Sequence, residues 1–148
     1  MSNTAKSLKV FGNTAYTLGV LYQLLFLNTH KLCIEIDGKK LERENTFVEI
    51  SNTRYTGTTF LMAPEAKIDD GLLDITLLNK INRRGILKIF PTIFDGTHVH
   101  QEHVEVFKAN KIKIETNIPK VLTPDGEVLG STPIEVECLK EAVPFFWI

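Results

Sequence analysis

The sequence predicts a mainly β protein with one or two helices, built as an antiparallel β-sandwich. Short segments with alternating apolar and polar residues fill the last third of the chain, and Asn110, Pro119 and Gly130 are among the residues that separate them. Short strands at this spacing are typical of an antiparallel sandwich or barrel. Only residues 14–27 and 83–94 place their apolar residues at helical spacing. We therefore expect few helices.

The length and charge of the chain favour one domain that does not bind nucleic acid. The 148 residues match the usual size of a domain, and residues 1–148 are predicted to form a single one. The formal net charge of −1 provides no basic field to attract nucleic acid or anionic lipid over a distance. The polar N-terminus lacks a signal-peptide pattern, and the distant Cys33 and Cys138 are expected to stay reduced. These features predict a cytoplasmic protein.

The first half of the chain predicts one helix and three strands. Residues 14–27 leave little polar face, so this helix is expected to be mostly buried. Leu32–Asp37 and Thr46–Ser51 alternate as strands do, with a turn at Gly38. Leu72–Leu78 carries apolar residues on both faces, which predicts a central strand.

The second half predicts a helix and then further strands. Arg83–Phe94 has near-helical spacing, and Pro91 is expected to kink it. The predicted strands that follow are His103–Lys108, Lys111–Thr116, Lys120–Thr123 and Pro133–Leu139.

Three histidines, His98, His100 and His103, allow a metal-binding interpretation. No cysteine or acidic pair completes a tetrahedral set beside them. Surface histidines at the start of a strand are the favoured interpretation.

Four segments, in order and spacing, resemble one enzyme family. They are Phe11-Gly12, Ser51–Gly57, Met62–Asp74 and Thr123–Glu127. Together they are similar to the C-terminal domain of the diacylglycerol kinase, sphingosine kinase and ceramide kinase superfamily, across essentially the whole chain. The segment beginning Ala63-Pro64 is the most specific, whereas Asp-Gly alone is a common hairpin turn.

The chain also departs from that family. Members usually carry several glycines after the Asn-x-Arg segment, and only Gly57 is present here. Their N-terminal half holds ATP with a Gly-Gly-Asp-Gly-Thr loop, whereas none of the nine glycines of this chain are adjacent. The resemblance therefore implies a lipid kinase domain that lacks its nucleotide-binding partner and is inactive alone.

The resemblance assigns roles to specific residues. Glu127 is the implied proton acceptor, and Asp125 belongs to the network around the catalytic Mg²⁺. A structural Mg²⁺ is implied at the Asp70 carboxylate with the main-chain carbonyls of Lys67 and Leu72. The plain alternative for both groups is a turn whose carboxylates serve only local hydrogen bonds.

The same resemblance implies several partners. Asn52, Arg54 and Gly57 are expected to meet the substrate or the N-terminal domain, and a surface role is the alternative. Residues 14–27 and Pro144–Ile148 are candidates to face lipid, with core packing as the alternative. The remaining implied partners are ATP, which is bound mainly by the absent domain, a lipid substrate and a transient membrane surface.

Other interpretations remain open at this point. The edges of a sheet leave room for a homodimer. A non-enzymatic β-sandwich that binds lipid or protein is the rival class.

Overall fold

The computed structural model describes residues 17–143. The Phe11-Gly12 motif, the start of the predicted first helix and the Pro144–Ile148 segment lie outside the described residues. A helix over residues 17–25 (α1) comes first. The strands are β1 (His30–Ile36), β2 (Lys39–Ser51), β3 (Leu73–Asn79), β4 (Val104–Ala109), β5 (Lys111–Thr116) and β6 (Ile134–Glu137). Helix α2 spans Arg83–Ile89, and short 3₁₀ helices follow at Phe90–Ile93, Thr97–His100 and Pro124–Gly126.

The six strands form one antiparallel sheet in the order β4-β3-β2-β1-β5-β6. The predicted mainly β, antiparallel class is therefore confirmed. Strand β2 joins two halves of the sheet, because its first part pairs with β1 and its last part with β3. The register shifts between Asn45 and Phe47. At this bulge the Asn45 side-chain amide donates to the carbonyls of Phe47 and Leu78, both at 3.0 Å, so irregular pairing leaves neither carbonyl unsatisfied.

Apolar side chains from both halves of the sheet share one core. Ile34 of β1, Ile75 and Leu77 of β3 and Ile112 of β5 are each 0% exposed and belong to one cluster. The two halves therefore face each other across this core, which is the arrangement of a sandwich. Strand β3 is buried along almost its whole length, as the sequence predicts for a central strand.

A second apolar cluster lies between the sheet and the helices. Its buried members are Phe60, Met62, Phe90 and Ile93, and Phe47 of β2 packs against them. Helix α1 contributes partly buried residues to the same cluster, namely Val20, Leu21 and Leu24. This layer of helices lies over β2 and β3 and encloses the cavity described below.

The prediction that the first helix is mostly buried was wrong. Leu18, Tyr22 and Phe26 are 59%, 65% and 55% exposed. Helix α1 packs with one side on the second cluster, and no described element covers its other side. No helix within residues 17–143 is long and apolar enough to cross a bilayer.

Two further predictions about the second half had different outcomes. The predicted helix changes character near Pro91, because α2 ends at Ile89 and the chain continues as the 3₁₀ helix Phe90–Ile93. The predicted strand Lys120–Thr123 is wrong. Only an isolated bridge between Val121 and Ser131 is present there, because this part of the chain projects beyond the sheet and meets no neighbouring strand.

Candidate functional site

The two acidic residues implied in catalysis lie at the tip of a projecting loop. Residues 117–133 join β5 to β6, and hydrogen bonds from Leu122 N–H to Gly130 O (3.1 Å) and from Leu129 N–H to Leu122 O (3.0 Å) hold the two arms together. At the tip, Glu127 N–H donates to Pro124 O at 3.0 Å. Asp125 has a φ of 50°, which tightens the turn. The loop therefore has a defined shape.

Both carboxylates point into solvent. Asp125 and Glu127 are exposed, and no hydrogen bond or ion pair joins either side chain to another residue within 17–143. Apolar residues of the same loop are also exposed, namely Ile118 (55%), Val121 (65%), Val128 (75%) and Leu129 (65%). We refer to residues 117–133 as the acidic hairpin. Its apolar surface is of the kind that a second protein surface would cover.

The loop that carries Asp70 is held by one lysine. Lys108 Nζ lies 3.3 Å from Asp74 Oδ1 and 4.0 Å from Asp70 Oδ2, and it donates to the Glu65 carbonyl at 2.8 Å. Asp74 is buried, and burial raises the pKa of its carboxyl while Lys108 counteracts part of this rise. Lys108 therefore links the buried Asp74 to the Asp70 loop.

The Asp70 carboxylate of the implied Mg²⁺ site makes two contacts within the chain. Asp70 is the single carboxylate of the implied set, and its Oδ1 already accepts the Leu72 N–H at 2.9 Å. Its other oxygen, Oδ2, lies 4.0 Å from the Lys108 ammonium nitrogen. No group of three metal-binding side chains occurs within residues 17–143. The Asp70 carboxylate therefore accepts a hydrogen bond within the turn and faces the ammonium group of Lys108.

Lys108 is expected to stabilise the fold through the buried Asp74. Lys108→Met leaves that carboxylate without its cation, and we expect the free energy of unfolding to fall by about 2 kcal/mol, less than for a fully buried pair because Lys108 is partly exposed. The matched control is Lys80→Met, which removes an exposed pair with Glu44 and should cost clearly less than Lys108→Met. Urea denaturation measures both. Equal losses in the two variants would show that Lys108 has no special role.

The loop after β2 lies beside the Asp70 loop. Ser51 pairs with Asp74, and Ala63 N–H donates to Arg54 O at 3.2 Å. Asn52 and Arg54 are exposed, and Gly57 adopts a φ of 60° in a tight turn closed by Thr56 N–H donating to Phe60 O at 2.9 Å. The structure therefore brings Asn52, Arg54 and Gly57 close to the predicted Asp70 segment.

The acidic hairpin lies at the other end of β5. Gly71 O accepts a hydrogen bond from Asn110 Nδ2 at 3.0 Å, which places the Asp70 loop at the start of that strand. The hairpin follows the end of the strand at Thr116. Six residues of strand span roughly 20 Å. The structure therefore does not bring Asp125 and Glu127 together with Asp70.

An apolar cavity of ≈ 140 Å³ lies under α1 and α2. Val20 and Leu24 form part of one wall, and residues of β2, β3, α2 and the Phe90–Ile93 segment form most of the rest. Its few polar groups include Glu49 and His98. The sequence does not reveal this cavity, because its lining comes from segments far apart along the chain.

Glu49 gives the cavity a carboxyl group. The Ser51 hydroxyl donates to its Oε1 at 3.4 Å, and the Thr56 hydroxyl also donates to it. Burial raises the pKa of Glu49, and the two hydrogen bonds offset part of that rise. Glu49 and Thr56 therefore place a polar group on an otherwise apolar wall.

His98 is buried, so its interpretation as a surface histidine was wrong. It is 2% exposed, and its Nε2 donates to the Met62 carbonyl at 3.1 Å. Gly96 permits this approach, because a Cβ there would lie 2.6 Å from Pro64 Cγ. His100 and His103 are exposed, as predicted.

Because His98 is buried, we expect the free energy of unfolding to decrease in mild acid. Burial lowers the pKa of His98, and its hydrogen bond to Met62 only partly opposes this. As the pH falls below about 6.5, His98 becomes protonated in the unfolded chain but stays neutral in the folded chain. The free energy of unfolding therefore decreases until the pH reaches the lowered pKa of His98 in the folded chain. His98→Gln should flatten this slope between neutral pH and the folded pKa in denaturation curves. An unchanged slope would assign it to other groups.

Comparison with known proteins agrees with the β-sandwich-like fold. Residues 1–146 match the family model described as "YegS C-terminal NAD kinase beta sandwich-like domain". A diacylglycerol kinase of Mycobacterium tuberculosis is 31% identical over 133 residues, which are 89% of this chain and 43% of that protein. The diacylglycerol kinase of Bacillus subtilis is 29% identical, over 85% of this chain and 42% of that protein. The chain thus spans less than half the length of these relatives.

Solved structures of similar proteins indicate the same family. The crystal structure of a diacylglycerol kinase from Bacillus anthracis superposes with a TM-score of 0.63 and 25% identity, covering 82% of this chain and 44% of that one. A second protein of that organism, provisionally described as a diacylglycerol kinase, gives a TM-score of 0.70 and 29% identity, with 83% and 40% coverage. The chain therefore belongs to the YegS C-terminal, NAD kinase β-sandwich-like domain family, whose relatives here are diacylglycerol and lipid kinases.

Proposed function

We propose that this chain is the lipid-binding side of an ATP-dependent lipid kinase that phosphorylates the hydroxyl of diacylglycerol or a related lipid. The observation that carries the proposal is the apolar cavity, found in a domain of a lipid kinase family. Such a cavity suits an acyl chain, and Glu49 and Thr56 offer polar groups beside it. The acceptor lipid would place its apolar part here and leave its hydroxyl in solvent-accessible space.

Glu127 is the proposed proton acceptor. As the lipid hydroxyl oxygen forms its bond to the γ-phosphorus of ATP, the bond from that phosphorus to the β,γ-bridging oxygen breaks and ADP leaves. The hydroxyl proton passes to the Glu127 carboxylate. Mg²⁺, when bound with ATP, neutralises phosphate charge, and the exposed Asp125 is free to join that network. No step requires a metal at Asp70.

The nucleotide-binding domain is the proposed partner of the acidic hairpin. The exposed apolar residues of that hairpin, such as Val128 and Leu129, need a covering surface. The carboxylates at its tip have no partner within residues 17–143, as expected of groups that act on a substrate held by another domain. The isolated chain is therefore proposed to be inactive, and to work in the cytoplasm at the membrane surface when joined to that domain.

Phosphoryl transfer measured with and without a nucleotide-binding domain tests the proposal. The chain is joined to the N-terminal half of the B. subtilis relative and assayed with labelled ATP and diacylglycerol in detergent micelles. Label in phosphatidic acid is expected from the joined protein and not from the chain alone. Binding of both substrates without transfer would instead favour the non-enzymatic lipid-binding module.

A further inference from the structure

The apolar cavity contains a carboxylate that no cation neutralises. Among the described residues that line the cavity, Glu49 is the only carboxylate, and no lysine or arginine is present. Glu49 forms no ion pair within residues 17–143. The Ser51 and Thr56 hydroxyls both donate to its Oε1, whereas no hydrogen bond from the described residues reaches its Oε2. A carboxylate oxygen without a donor is costly on an apolar wall, and a ligand in the cavity can supply that donor.

The other polar side chains of the cavity have already used their hydrogens. The Thr76 hydroxyl donates to the Met62 carbonyl at 3.3 Å, and His98 Nε2 donates to the same carbonyl at 3.1 Å. The remaining ring nitrogen of His98 has no hydrogen-bond partner within residues 17–143 and carries a lone pair in this tautomer. The Thr56 hydroxyl donates to Glu49. The polar side chains that line the cavity can therefore accept further hydrogen bonds but have no free hydrogen to donate.

The size of the cavity limits what it can hold. Its volume of ≈ 140 Å³ is close to the roughly 150 Å³ of a cavity that holds one benzene molecule. It therefore accommodates a segment of one chain and not a whole diacyl lipid. A plain hydrocarbon segment would cover the apolar walls but would leave Glu49 Oε2 without a donor. A segment that carries an O–H or N–H group would satisfy both.

We propose that the cavity selects a lipid whose enclosed chain carries a hydrogen-bond donor, a hydroxyl or an amino group, and that Glu49 recognises this donor through Oε2. Glu49 is then a residue that determines specificity. The recognised donor is a different group from the reacting hydroxyl, because Glu127 does not line the cavity. The inference deepens the proposed function and rests on it, because it takes the cavity as the site of the lipid chain.

Two small probes of similar size test the inference. Phenol and toluene differ in that an O–H group replaces a methyl group. The full chain, with ¹³C-labelled valine and leucine methyl groups, is titrated with each probe by NMR at pH 8, which favours the ionised carboxylate. Shifts of the Val20 and Leu24 methyl signals report binding in the cavity and give the Kd of each probe. Glu49→Leu should weaken phenol binding about tenfold or more, because it removes a charged acceptor, and should not weaken toluene binding.

Three further measurements support this comparison. Glu49→Gln keeps the size of the side chain and a neutral acceptor, so it should weaken phenol binding less than Glu49→Leu does. The matched control is Glu42→Leu, the same substitution at an exposed position of β2 that does not line the cavity. It should leave both Kd values within about twofold of wild type. Thermal unfolding of each variant verifies that it folds.

Benzylamine distinguishes the two kinds of donor. If Glu49→Leu weakens benzylamine binding more than phenol binding, the recognised group is an amino group. If the loss is smaller for benzylamine, the recognised group is a hydroxyl. Either result supports a donor-carrying chain as the ligand.

Two results would overturn the inference, and they differ in what they imply for the proposed function. If Glu49→Leu leaves phenol binding unchanged, or weakens phenol and toluene equally, Glu49 does not recognise a donor, but the cavity remains a site for a lipid chain. If neither probe shifts the Val20 and Leu24 signals of the wild type, the cavity takes no ligand and its role in the proposed function fails as well. Because no ATP is present, a kinase assay that fails leaves these binding results unaffected.

Discussion

Replacing Glu127 by glutamine is expected to lower phosphoryl transfer by about 10²–10⁴-fold, the usual contribution of a positioned general base. Glutamine keeps the size of the side chain but cannot accept the hydroxyl proton. Glu127 is exposed and makes no side-chain hydrogen bond within residues 17–143, so the fold should be unaffected. The measurement is kcat of the protein joined to its nucleotide-binding domain, and KM for ATP should change little.

The control for this variant is Glu102→Gln. Glu102 is also an exposed glutamate of a loop, and nothing assigns it to the reaction. Its substitution should leave kcat unchanged. If Glu127→Gln retains wild-type kcat while both proteins unfold at the same temperature, Glu127 is not the base, and the role of the acidic hairpin is limited to contact with the partner domain.

The sequence predicted strands well where one face of a strand meets the core. Lys111–Thr116 alternates in sequence, and the observed β5 has the same bounds, with Ile112 and Ile114 buried. The same reasoning failed for Lys120–Thr123. Apolar Val121 and Leu122 are adjacent there, but the hairpin projects beyond the sheet and no core lies beneath it. A short apolar or alternating segment therefore indicates a strand only where the fold supplies a surface to cover.

The first helix also shows that the sequence alone does not reveal which apolar residues the fold covers. Its apolar residues surround the whole helix, which predicted burial on all sides. The structure covers the side that carries Val20 and Leu24 and leaves Leu18 and Tyr22 in solvent. An apolar residue in the sequence can serve a contact within the chain or a contact with a surface that lies outside the chain.

The candidate site was predictable in part for a related reason. The Asp-Gly turn and the Asp70 loop are local patterns, and both form turns as expected. The cavity is not local, since Val20, Phe47, Phe60 and Ile86 meet only after the sheet and helices have packed. His98 was misinterpreted because its neighbours in sequence, Thr97 and Val99, do not distinguish a buried position from an exposed one. A buried histidine can be recognised only from the packing around it.

Filling the cavity is the second substitution expected to have a large effect. Leu24→Trp projects a larger ring from α1 into the cavity and excludes part of an acyl chain. Losing the burial of about four methylene groups, at about 0.8 kcal/mol each, costs about 3 kcal/mol, which is about 200-fold in kcat/KM. The measurement compares long-chain with short-chain diacylglycerol in detergent micelles, using the joined protein.

The contrast between the two substrates decides what the cavity does. A short-chain substrate that does not reach the filled region should react with Leu24→Trp nearly as fast as with wild type, whereas simple damage to the fold would slow both substrates alike. Gln23→Trp adds the same ring to the adjacent, exposed position of α1 and should leave both rates unchanged. If Leu24→Trp does not discriminate between the chain lengths, the cavity is only a gap in the packing. The acyl chain must then bind elsewhere, and the exposed apolar residues of the acidic hairpin become the next surface to test.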